Sequence, residues 1–154
     1  MTVSSFKILA TATALSPSTQ FMFPEESAVS PNYLGISFNA VNPADGSSVW
    51  KLSGGYLQTY LGQFAQQDSG AHSEWIWVDT AANIAANGWR YIFFIVDPFT
   101  LAVTARGSDT GNSVLQVCVL DGVPFLDLAA VAGTPEQTTG APCHPVVLKA
   151  VPLP

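Results

Sequence analysis

Apolar and polar residues alternate along most of this chain with the two-residue period of half-buried β-strands. Residues 5–14 place Phe6, Ile8, Ala10 and Ala12 on one side of an extended chain. Residues 33–41 form a second run, closed by a turn at Pro43, Asp45 and Gly46, and residues 48–52 a short third one ending at Gly54 and Gly55. Residues 73–79 put Trp75 and Trp77 on one face and Glu74, Ile76 and Val78 on the other.

The second half repeats the pattern. Residues 89–96 are apolar on both faces, as in a strand covered on both sides. Asp97 and Pro98 turn the chain, and residues 99–105 return. A polar loop over 107–112 leads to a strand over 113–120. Asp121-Gly122, between two apolar runs, is the strongest short hairpin signal in the sequence. The partner run, 123–128, carries Pro124, which marks it as an edge or irregular strand. A loop over 132–145 rich in Thr, Gly and Pro precedes a final strand over 146–151.

Helix has two candidates. Tyr56, Leu57, Tyr60, Leu61 and Phe64 fall at helical spacing, with strand as the competing reading of segment 55–67. Residues 80–87 suit two turns of helix, with Asp79 as cap and Asn87-Gly88 as stop. The expected architecture is mainly β: one antiparallel sandwich or partly closed barrel of about nine strands, with one or two short helices. No internal repeat or break in composition divides residues 1–154, so a single β domain is expected.

Composition changes the picture by what it lacks. Charged residues are 10% of the chain, against about a quarter in most domains. Hydrophobic residues are 48%, and mean hydropathy is +0.30. A surface so poor in ions is weakly defended against association. Net charge is −6, and the basic residues Lys7, Lys51, Arg90, Arg106 and Lys149 are scattered. They build no stripe for phosphates, so nucleic acid is excluded as a partner, and docking on anionic membranes goes with it. No apolar run is long enough to span a bilayer, so no membrane insertion is expected. Lys7 stands behind the first apolar residues, and Thr11 and Thr13 interrupt the run that follows. That is not a cleavable leader, and cytoplasmic synthesis or incorporation into a particle is the expectation.

No motif commits the chain to a reaction. His72 adjoins Ser73, but sequence neighbours on a strand face opposite ways, and a loop histidine at a strand entrance is the plainer reading. Cys143-His144 lacks the spacing of a metal site, and two cysteines make neither a zinc site nor a disulfide framework. In an oxidising compartment Cys118 and Cys143 could form one bridge; in a reducing one Cys118 packs like a small apolar residue. Most Asp residues sit in turns. Glu74 and Asp127 lie inside strand patterns, where a solvated face is the simpler reading and a buried general base the alternative. The loops at 45–47 and 108–112 carry oxygen ligands but not the ligand count of a calcium loop. No catalytic set, metal ligand or cofactor is therefore expected.

Three readings follow. The first is a non-catalytic structural protein of coat, decoration, fibre or inclusion type, self-associating into a homo-oligomer through neutral apolar β surfaces. The first strand and residues 146–151 would offer edges to a neighbouring chain. The second is a lectin-like module for a glycan or small apolar ligand, using Trp75 and Trp77 with the loop residues Asp109 and Asn112. The third is a small barrel enzyme with Glu74 or Asp127 as base and Tyr56 or Tyr60 as donor.

Overall fold

The computed structural model describes residues 5–27 and 33–154. Residues 1–4, part of the stretch weighed as a leader, lie outside the described residues. The chain is read most easily as three successive lobes. The first holds β1 (Ser5–Thr11), β2 (Thr19–Glu26), β3 (Leu34–Asn39) and β4 (Val49–Ser53). The second holds β5 (Tyr56–Gln58), β6 (Phe64–Gln67), β7 (Ser73–Trp75), β8 (Trp77–Asp79), α1 (Ala81–Asn87) and β9 (Arg90–Val96). The third holds β10 (Ala102–Gly107), β11 (Val114–Leu120), β12 (Val123–Ala129), β13 (Cys143–Pro145) and β14 (Val147–Pro152).

In each lobe the first and last strands form wall; between them stand the pairs β2-β3, β6-β8 and β11-β12, and β7 and β13 flank the third pair. The wall closes through the antiparallel circuit β1-β4-β5-β9-β10-β14 and back to β1. A longer circuit runs through the hairpins β2-β3 and β8-β6 and closes as a nine-strand antiparallel barrel. The third hairpin belongs to a separate four-stranded sheet in the order β13-β11-β12-β7. The molecule is thus a closed barrel with a second sheet, mainly β, and not a sandwich. It also has a three-lobed trefoil plan with no repeat in the sequence, because hairpins and wall strands can be drawn from different residues.

The alternation in the first strand is realised: Phe6, Ile8, Ala10 and Ala12 all point inward and are buried. They meet Trp50, Leu57, Ile92, Phe94, Val103 and Leu148 in one core that fills the barrel. Trp50, fully buried, donates its indole N–H to the Met22 carbonyl at 3.0 Å, so its polar atom is satisfied. The Asp121-Gly122 hairpin forms with both residues at positive φ (50° and 78°), the geometry of a type I′ turn.

Several expectations are corrected. Segment 55–67, open in the sequence between helix and strand, is the two strands β5 and β6 joined by a turn. Leu57 alone of its apolar set faces the core, Tyr56 and Phe64 pack outward on Tyr91, and the Thr59 side chain closes a turn by accepting from the Leu61 and Gln63 amides. The strand over 90–96 is covered on one face only, leaving Phe93 and Ile95 exposed, because it is barrel wall. The helix is capped by Thr80, whose hydroxyl accepts from the Asn83 amide, while Asp79 accepts from the Thr80 amide and the Asn83 side chain. The first and last strands offer no free edges to a neighbour, since β1 and β14 pair with each other from Phe6↔Pro152 to Thr11↔Val147. No helix among the described residues is long and apolar enough to cross a membrane.

Candidate functional site

The segment 73–79 is shared between the two sheets. Its first half, β7, pairs with β12, and its second half, β8, pairs with β3 and β6. At the break, the Ile76 amide donates to the Leu126 carbonyl at 3.0 Å. Trp75 and Trp77 stay on one face across this break and stack nearly parallel, with centroids 4.8 Å apart and planes 6° apart. Phe125 stacks on the other face of Trp75, and Tyr33 and then Trp89 continue the row beyond Trp77. Both faces of Trp75 are therefore taken by neighbouring rings, and only its edge is presented to solvent.

That edge lines a cleft of about 300 Å³, at the small end of the range for ligand sites. The cleft follows from where pairing stops. Of β3, β8 covers only Leu34 and Gly35; of β12, β7 covers only residues 127–129. Beyond those points β3 and β12 run side by side without a ladder, and the gap between them is the cleft. Pro124 belongs here: lacking an N–H, it lies beyond the reach of β7. The floor is apolar, with Ile36, Leu120, Pro124 and the edges of Trp75 and Phe125, and the rim carries Glu25, Glu26 and Ser37. Glu25 and Glu26 are exposed, and among the described residues no Lys, Arg or His lines the cleft.

The other residues marked in the sequence lie elsewhere. Asp109 lines a separate polar hollow with Phe93 and Arg106, and pairs with Arg90 at 2.7 Å. Asn112 is buried and donates to the Ala71 carbonyl at 2.6 Å, pinning its loop to the turn before β7. The structure thus brings Trp75 and Trp77 together and sets Asp109 and Asn112 to other tasks. Phe125, Glu25 and Glu26 were not marked in the sequence. The Asp121-Gly122 turn fixes the hairpin that carries Phe125, but nothing local sets the two glutamates apart from surface acids.

Glu74 and Asp127 are both buried, against the expectation of a solvated face, but on opposite faces of the second sheet: Glu74 under the turn that precedes β7, Asp127 under the loop after β12. Glu74 accepts from the amides of Asp68, Ser69 and Ala71 and from the Ser69 hydroxyl, which spends its carboxylate on closing a turn. Asp127 accepts from the Ser73 hydroxyl at 3.0 Å and the Gln116 amide at 2.9 Å. Gln116 also donates to the Thr134 carbonyl at 2.8 Å, tying the covering loop to the network. Burial outweighs these hydrogen bonds and pushes the Asp127 carboxyl up to about 7. Neither acid lines the cleft, and Tyr56 packs in the outer row with Tyr91 and Phe93, so no base and donor meet there.

Cys118 and Cys143 are joined in a disulfide, and the last three residues of the loop read over 132–145 form the short strand β13, paired with β11. The bridge packs with Trp75, Phe125 and Ala141 in a small cluster behind the cleft. His72 and His144 are both exposed.

No protein-family model matches this chain, and no curated protein matches it in sequence. In fold it is similar to a chain of the crystal structure of the Haemophilus ducreyi cytolethal distending toxin. The TM-score is 0.50 at 12% sequence identity, over 97% of this chain and 83% of that one. The likeness is one of fold.

Proposed function

We propose that this protein is a non-catalytic binding module whose cleft between β3 and β12 takes a small ligand with one apolar face and several hydroxyl donors, a glycan unit being the class that meets both requirements. The observation that supports it is the cleft's division of labour: an apolar floor of Ile36, Leu120 and ring edges, beneath a rim of two carboxylates able to accept hydrogen bonds. Binding here uses ring edges and aliphatic side chains, since the faces of Trp75 are already stacked. Titration with mono- and oligosaccharides, followed by tryptophan fluorescence and calorimetry, tests the reading. A saturable change weakened about tenfold by Glu25→Gln with Glu26→Gln, the loss of roughly one charge-assisted hydrogen bond, is the expected result. A glycan array that stays blank at high protein concentration sinks it.

A second reading, self-association, is favoured by the outer barrel wall. Ile95 lies opposite Thr104, Val147 opposite Thr11, and Thr11 opposite Thr19, a row without a charged side chain over β9, β10, β14, β1 and β2. Ile95 and Val147 are about two-thirds exposed and Phe99, at the turn, is 93% exposed. On a chain of net charge −6, this row, whose charged neighbours on the same outward side of β10 and β14 are the cations Arg106 and Lys149, is where two copies meet with least repulsion. Light scattering across a wide concentration range reads the oligomer. Ile95→Lys with Val147→Lys should return it to monomer, and a wild-type monomer at all concentrations removes this reading.

A further inference from the structure

The covered face of the second sheet gathers three side chains that the cleft does not use. Cys118 on β11, Cys143 on β13 and Asp127 on β12 are all buried, and their sulfurs and one carboxylate oxygen lie within 4.8 Å of one another. A buried carboxylate that stays ionised is paired with a cation or coordinates a metal. Among the described residues Asp127 has none; its partners are Ser73 and Gln116, and the ion pair present is Arg90 with Asp109.

We infer that the reduced chain holds a thiophilic divalent cation, Zn²⁺ in kind, on the Cys118 and Cys143 thiolates and the Asp127 carboxylate, so that disulfide and metal are alternative occupants of one site. Around a tetrahedral Zn²⁺, ligand sulfurs at about 2.3 Å from the metal stand roughly 3.8 Å apart. Breaking the bridge lets the two sulfurs separate to that spacing on strands that are already neighbours. The carboxylate is oriented from behind by Ser73 and Gln116, as ligating carboxylates are held in known sites. Trp75, Phe125 and Ala141 make the surrounding shell apolar. Two thiolates favour a soft cation over Ca²⁺ or Mg²⁺. Three protein ligands leave one position for water or another small ligand.

The conversion balances with a dithiol as reductant. Two electrons and two protons pass from the dithiol to the bridge, giving two protein thiols and an oxidised dithiol. Zn²⁺ then displaces the two thiol protons without any change in its own oxidation state. The site is distinct from the cleft and stands whether or not the cleft binds a glycan.

The test is to reduce the full chain with a phosphine, remove the reductant without air, and titrate with Co²⁺ as the coloured stand-in for Zn²⁺. The expected result is a thiolate-to-cobalt charge-transfer band saturating at one ion per chain, abolished by excess Zn²⁺ and absent from the oxidised protein. Cys118→Ser with Cys143→Ser removes the band. Asp127→Asn, which keeps the side chain's shape, leaves the band and weakens binding at least tenfold. The inference is overturned if the reduced chain shows no such band. It is equally overturned if Asp127→Asn binds as tightly as the wild type, or if reduction erases the near-ultraviolet circular dichroism and metal does not restore it.

Discussion

Inside the barrel, Phe6, Ile8, Trp50, Leu57, Ile92 and Phe94 meet with no ionisable group among them. On the covered face of the second sheet, a disulfide, a buried acid, a serine, a glutamine and a stack of rings share a smaller space. Both regions are buried. The first is held by apolar area, which is insensitive to protons and electrons. The second is held by directional bonds whose partners can be titrated or reduced, so its stability answers to the surroundings. The cleft is walled on one side by that second region, through Trp75 and Phe125.

The comparison can be broken at either end. Trp50→Ala should cost about 3–5 kcal/mol, equally at pH 4 and pH 8, as read by urea unfolding. Unequal costs would show that the barrel core is coupled to a titrating group. Asp127→Asn should act on the pH dependence instead. The native carboxyl, at about 7, lies above its ordinary 3.8, so the folded state holds the proton more tightly than the unfolded one. With the bridge intact, this contribution to stability is fully present below pH 4 and is lost as pH rises through 7. It amounts to as much as about 4 kcal/mol. In Asp127→Asn that fall should vanish from the difference between unfolding curves at pH 4 and pH 8. Replacing both cysteines with alanine should cost about 3 kcal/mol, measured as a lower midpoint, with tryptophan emission altered through Trp75. Thr80→Ala, in neither region, should cost about 1 kcal/mol at every pH and serves as the reference.

The same division explains what could be read from the sequence. The strands were legible because their rule is local: alternate residues of β1 face inward, and Asp121-Gly122 supplies the positive φ pair that the β11-β12 hairpin needs, but neither signal separates a barrel from a sandwich. The helix was legible for a like reason, from Asn87-Gly88 and the short polar residues before it. The second region was not. Glu74 and Asp127 look like surface acids until a turn folds back on the first and a loop downstream covers the second, with Thr134 and Gly133 bonded to Gln116. Trp75 and Trp77 were correctly placed on one face, yet Phe125, fifty positions away in the chain from Trp75, decides that the ring faces are already occupied. Spacing in one strand carries no information about such a partner.

The pairing of β1 with β14 joins residues near opposite ends of the chain, Phe6 with Pro152. During synthesis the first strand leaves the ribosome long before its partner exists, and one edge of the wall waits unpaired until residues 147–152 emerge. Ring closure therefore waits for β14, and among the described strands it closes the longest loop. A nascent chain arrested before Val147 presents two open strand edges at once, the state in which a β protein most readily pairs with the wrong neighbour.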